Sequence, residues 1–129
     1  MKDIFKLLNN VNIGLLHKQK YAIFKPKNKK LASRMLSLLY TEGFILGYFY
    51  NVIKNTYNIL LNYFKGQYVL GTIKTFNKST YPVYVKYTDL ISIQRFGVAT
   101  LILSTIKGFL PHYLAMKYKI GGRAICLLQ

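Results

Sequence analysis

Asp3, Glu42 and Asp89 are the only acids among 129 residues, so a paired-carboxylate mechanism would have to bring two of these three together. Their surroundings read instead as helix ends and turns. His17 and His112 have no metal-ligand spacing with each other or with Cys126, and both read as exposed or capping side chains. Cys126 has no partner for an internal disulfide, and within its apolar run it reads as a small buried hydrophobe. Ser104-Thr105 has no His/Asp constellation near it in sequence. Ile106-Lys107-Gly108 lacks the preceding glycine and the Lys-Ser/Thr order of a phosphate loop. These residues argue against an enzyme, and no cofactor, metal or small-molecule substrate is expected.

Binding chemistry fits better. Ser104-Thr105-Ile106-Lys107-Gly108 follows an apolar run with two hydroxyls, a cation and a glycine. Hydroxyls can bond ribose, phosphate or base edges, lysine neutralises phosphate, and glycine admits a close backbone approach. Taken alone, the segment reads more readily as an ordinary polar loop. Lys119-Ile120-Gly121-Gly122-Arg123 sets two glycines between cations, which is also how a helix ends before a strand. Tyr84, within Tyr81–Tyr87, could stack on a base or sugar, or simply fill a core. Lys27, Lys29 and Lys30 form a basic loop around Asn28.

The charge supports a polyanionic partner. The formal net charge is +16, with 19 Lys and Arg against 3 Asp and Glu. Hydrophobic residues make up 52% and aromatics 16%, so the chain can bury a core and is more than a disordered basic tail. A folded body this basic repels itself unless nucleic acid or an anionic membrane lies close. The bias toward Lys, Asn, Ile, Tyr and Phe is what an A+T-rich genome encodes, and drift toward lysine explains part of the charge. It does not explain the scarcity of acids. Windows 35–53 and 96–116 are apolar but interrupted by Glu42, Gly43 and Gly47, and by Lys107, Gly108 and Pro111. A membrane span needs about 20 nearly unbroken apolar residues. No membrane insertion is expected, although a basic membrane-associated organellar protein is the competing class. The first fifteen residues read as a structural helix and not as a transit peptide.

The elements that would position these residues follow from periodicity. Ile4, Leu7, Leu8, Val11 and Leu15 recur at helical spacing, so a helix is expected over 3–17, with Asp3 at its start. A strand over 20–25 stops at Pro26. Asn28 caps a second helix that runs to Glu42, with Gly43 after its end; Leu31, Met35, Leu38 and Leu39 form the expected buried stripe. Lys30, Arg34, Ser37 and Thr41 fall on another face. Strands are expected over 44–53, 57–64, 68–76 and 83–87, with a turn at Lys54-Asn55, a turn and lobe boundary at Lys65-Gly66, and a polar loop over 77–82. The run 97–103 reads as a central strand and 104–108 as a loop. Pro111 suits the first turn of a short helix ending near Lys119, and 123–128 a last strand. The fold class expected is α+β in two small lobes. Residues 1–66 form an N-terminal α-β-α-β-β lobe, and 67–129 a mainly β C-terminal lobe with a short helix.

These residues resemble the small-subunit ribosomal protein eight family over essentially the whole chain. The family's C-terminal half reads Ser-Thr-Ser-Lys-Gly, a short helix, then Ile-Gly-Gly-Glu-x-x-Cys-Tyr-Val. Here Ser104–Gly108 and Ile120–Leu128 are similar. Glu42-Gly43-Phe44-Ile45 matches the segment after the family's second helix, Lys65-Gly66 resembles its inter-strand turn, and Ser79 with Val83-Tyr84 resembles its Ser-x-Pro-Gly…Val-Tyr stretch. The resemblance implies a non-catalytic structural constituent of the small ribosomal subunit. Its C-terminal lobe would bind the central domain of small-subunit rRNA and act early in assembly, beside neighbouring small-subunit proteins. It also implies that Ser104, Thr105, Lys107 and Gly108 form the main RNA-contacting loop. Gly121, Gly122 and Arg123 would lie beside that loop, Tyr84 would reach the RNA from a neighbouring strand, and Lys27, Lys29 and Lys30 would face rRNA from the N-terminal lobe. Ile106 replaces the loop's second serine and Arg123 the usual glutamate; Asn9-Asn10-Val11-Asn12 stands where bacterial relatives are Arg-rich. With the A+T-rich composition, these departures imply an organelle, the mitochondrion ahead of a plastid or apicoplast.

Overall fold

The computed structural model describes residues 2–64, 67–68, 72–76, 82–96 and 99–129. It divides into two units, Met1–Ile73 and Lys74–Gln129. Each combines helices with antiparallel strands, and the fold is α+β. The expected turn at Lys65-Gly66, Ser79 with most of the polar loop, and Gly97 lie outside the described residues.

In the first unit, helix α1 (Lys2–Leu16) buries Ile4, Leu7, Leu8, Val11 and Leu15, the stripe its spacing predicts. Strand β1 (Tyr21–Phe24) leads to helix α2 (Lys29–Thr41), whose N-cap Asn28 accepts the Leu31 N–H at 3.2 Å. Both carboxylate oxygens of Asp3 accept backbone N–H groups of this connection, from Lys27 at 3.3 Å and Asn28 at 3.1 Å. The α2 core stripe is Ala32, Met35, Leu36 and Leu39, with Leu31 and Leu38 half-buried at its margins. Gly43, at φ +79°, ends α2 in a Schellman motif: its N–H reaches the Tyr40 carbonyl and the Phe44 N–H reaches that of Leu39.

Strand β3 (Thr56–Leu61) lies between β1 and β2 (Ile45–Asn51). Its burial alternates, with Tyr57, Ile59 and Leu61 facing inward. Strand β2 stops two residues earlier than expected because the Asn51 carboxamide oxygen accepts the N–H groups of Ile53 and Lys54 and folds the chain into a loop. Asn55 completes that loop at φ +53°. The opposite face of this sheet leaves Tyr21, Ile23 and Phe49 exposed on residues paired with Leu60 and Asn58. The expected strand 57–64 divides at Asn62, whose side-chain amide donates to the Gly43 carbonyl at 2.8 Å. Beyond it, β4 (Tyr63–Phe64) pairs with β5 (Gln67–Tyr68).

The second sheet runs β6 (Ile73–Thr75), β10 (Gly122–Leu128), β8 (Thr100–Thr105) and β9 (Gly108–Pro111), and β7 (Tyr84–Val85) also pairs with β10. Two expectations are corrected here. First, helix α3 (Tyr87–Phe96) takes the last residue of the expected strand 83–87 and a following stretch in which no element was expected. Its first-turn Asp89 reaches back to the Lys86 N–H at 3.2 Å and so caps the helix. Second, 104–108 is the tip of a β-hairpin and not a loop between a strand and a helix. Thr105 pairs with Gly108 and Ser104 with Phe109. Pro111 ends β9 as the N-cap of α4 (His112–Lys117). Leu90, Leu101, Leu103, Ala115 and Ala124 are the buried core of this unit.

Candidate nucleic-acid interface

The three acids stand at helix ends: Asp3 in the first turn of α1, Glu42 at the C-cap of α2, Asp89 in the first turn of α3. Among the described residues no group of His, Cys, Asp and Glu gathers as metal ligands, and no helix is long and apolar enough to cross a membrane. Cys126 is fully buried, and burial pushes its thiol up to about 12. His17 is exposed as expected, but His112 is not. It is only 8% exposed, and its Nδ1 accepts the Leu101 N–H at 3.2 Å, which places its own proton on Nε2. Helix α4 begins at this residue, and the imidazole satisfies the Leu101 backbone N–H. Burial lowers its pKa from the usual histidine value.

Strand register brings the separated candidates of the second unit together. Arg123 on β10 pairs with Ser104 on β8 and with Tyr84 on β7. Ser104 pairs in turn with Phe109 on β9. Residues directly opposite in antiparallel strands share a face, so Tyr84, Arg123, Ser104 and Phe109 form one row across four strands. Tyr84 is 71% exposed, which removes it from the core. Arg123 and Ser104 are half-buried, and among the described residues none bonds the Ser104 hydroxyl.

Gly121, just before β10, and Gly122, its first residue, make this row possible. A Cβ on Gly121 would stand 2.3 Å from the Val85 carbonyl oxygen, and one on Gly122 would stand 2.4 Å from that of Ser104. The close approach they permit is thus to the chain's own backbone on either side.

The hairpin tip is equally organised. The Thr105 hydroxyl donates to the Gly108 carbonyl at 2.9 Å and accepts the Lys107 N–H at 3.1 Å, so this hydroxyl holds the turn. Gly108 takes φ +100°, in the left-handed region that glycine enters without steric cost. Ile106 projects at the tip, 92% exposed, and the Lys107 ammonium lies 3.9 Å from the Tyr118 ring centroid. Tyr118 and Phe109 were not singled out from sequence, because only strand pairing and the α4 end bring them to this place.

In the first unit, Lys27, Lys29 and Lys30 are all exposed. The Lys29 ammonium rests over the Tyr50 ring at 3.8 Å, and its carbonyl accepts the Tyr57 hydroxyl at 3.5 Å. Lys29, Lys30, Ser33, Arg34 and Tyr57 line a shallow depression of about 330 Å³.

The chain is similar to known ribosomal proteins. The family described as Ribosomal protein S8 matches residues 3–128. A small ribosomal subunit protein uS8 from Legionella pneumophila (strain Lens) is 36% identical over 102 residues, covering 77% of this chain and 76% of that protein. The uS8 of Wolbachia pipientis wMel is 31% identical over 126 residues, covering 96% and 92%, and that of Bartonella bacilliformis is 32% identical over 123 residues, covering 87% and 91%. The chain belongs to the ribosomal protein S8 family, and its role is that of a structural, non-enzymatic component of the small ribosomal subunit.

Proposed function

We propose that this chain binds the central domain of small-subunit rRNA through its second unit and supports assembly of that domain beside neighbouring small-subunit proteins. The observation that carries the reading is the row of Tyr84, Arg123 and Ser104, in register on one face, with Ser104 on the strand that runs to the Lys107 hairpin tip. The row offers an aromatic face, a guanidinium and a hydroxyl, and the tip adds an ammonium, a combination suited to local RNA shape. Lysines supply most of the affinity by neutralising phosphates, with Lys27, Lys29 and Lys30 as a second contact from the first unit. Filter binding to a central-domain transcript tests this. Lys107→Ala is expected to weaken binding and reduce the salt slope by about 1. Ser104→Ala is expected to cost on the order of 1–3 kcal/mol. Wild-type binding by both variants would refute the assignment.

We further propose that the ribosome concerned is organellar, mitochondrial in the first instance. The support is the Lys/Asn/Ile/Tyr/Phe bias of an A+T-rich gene. A tagged chain is then expected to co-sediment with the mitochondrial small subunit; sedimentation with plastid or apicoplast subunits instead would overturn the placement.

A further inference from the structure

We infer that Tyr118 is a positioning residue that holds the Lys107 ammonium ready for an RNA phosphate. The inference rests on the proposed RNA-binding role of the hairpin and concerns how that site is prepared. A lysine side chain is a flexible stem, and fixing it on a ligand loses rotamer freedom. Here both ends of Lys107 are already held. Its N–H is bound by the Thr105 hydroxyl at 3.1 Å, and its ammonium sits 3.9 Å from the Tyr118 ring centroid. The backbone that carries the ring is fixed in turn. Tyr118 is the C-cap of α4, its N–H donates to the Leu114 carbonyl at 3.1 Å, and Lys119 closes the helix at φ +56°.

A ring face attracts a cation without accepting its N–H bonds along fixed lone-pair directions. The side of the ammonium away from the ring therefore remains free to donate to an anion. Asp89 is the one acid in residues 74–129, and its carboxylate is bound to the Lys86 N–H, so no described carboxylate in this unit is given to Lys107. Tyr118 is 46% exposed, which leaves room for RNA beside the pair. An anion of phosphate type fits this arrangement.

The test is a double-mutant cycle on the full chain, read by filter binding to a central-domain transcript over a series of salt concentrations. Tyr118→Leu is expected to weaken binding about threefold, the equivalent of one exposed cation–π contact. Tyr118→Phe keeps the ring face and is expected to bind as wild type. In a Lys107→Ala background, Tyr118→Leu is expected to add no further loss. Thermal melts of each variant separate a folding defect from lost positioning, because a purely structural role would weaken binding equally with and without Lys107. That equal loss, or wild-type binding by Tyr118→Leu while Lys107→Ala weakens, would overturn this inference alone. Wild-type binding by Lys107→Ala would instead overturn the hairpin's RNA-binding role and this inference with it.

Discussion

Replacing Gly122 by alanine adds one methyl group at the most crowded point of the second sheet. Its Cβ would lie 2.4 Å from the Ser104 carbonyl oxygen and 2.9 Å from the Thr105 methyl carbon, whereas ordinary contact begins at 3.4 Å. The difference of 1.0 Å must be taken up by backbone, because the obstructing atom is a carbonyl in β8 and cannot rotate away. Moving a strand by this much breaks one or two ladder hydrogen bonds, at about 1 kcal/mol each. Overpacking of this kind adds about 1–3 kcal/mol. The expected loss is therefore about 3 kcal/mol, or roughly a 20 °C lower midpoint for the unit. Gly47→Ala is the control, since a Cβ there meets only the Leu60 side chain, at 3.8 Å, and is expected to shift the midpoint little. Circular dichroism melts of wild type and both variants decide the matter. If Gly122→Ala melts within about 2 °C of wild type, the close approach of β10 to β8 is not the reason for this glycine.

Burial lowers the pKa of His112, so between that lowered value and about 6.5 the unfolded chain binds more protons than the folded one. The stability it contributes is complete above about 6.5 and is lost as pH falls below that. Urea midpoints are expected to drop between about pH 7.5 and about pH 5 in the wild type, and less in His112→Phe. Cys126, with its thiol pushed up to about 12, is expected to resist thiol-specific labelling in the native protein and to react only as the unit unfolds; rapid native labelling would contradict its burial. Lys119→Gly relieves a left-handed residue at φ +56° and is expected to raise stability by about 1 kcal/mol in the same melts.

The amphipathic repeat of α1, the Asn28 cap and the Gly43 stop were legible because each is a local signal with a local cause. Helix α3 was not. It fully buries Leu90 and half-buries Ile93, and its Tyr, Thr and Ile residues favour strands, so neither periodicity nor propensity marks it. Its one local signal, Asp89 reaching back to Lys86, is visible only with the helix start in hand. The candidate site was legible as motifs and not as geometry. Residue types singled out Ser104, Thr105, Lys107, Gly121 and Gly122, but a hydroxyl in sequence does not say whether it faces a ligand or its own turn. Thr105 does the second. The contact of Lys107 with Tyr118 and the place of His112 depend on pairings between distant segments, which one sequence does not display.

The outer face of the β1-β3-β2 sheet gives the free chain a distinctive colloidal behaviour. Tyr21, Ile23 and Phe49 are exposed there, and mutual repulsion between bodies of charge +16 keeps such faces of separate molecules apart in dilute buffer. Concentrated electrolyte removes that protection while leaving the apolar area untouched. Salt high enough to weaken the proposed RNA contacts is therefore also expected to favour association of the bare molecules.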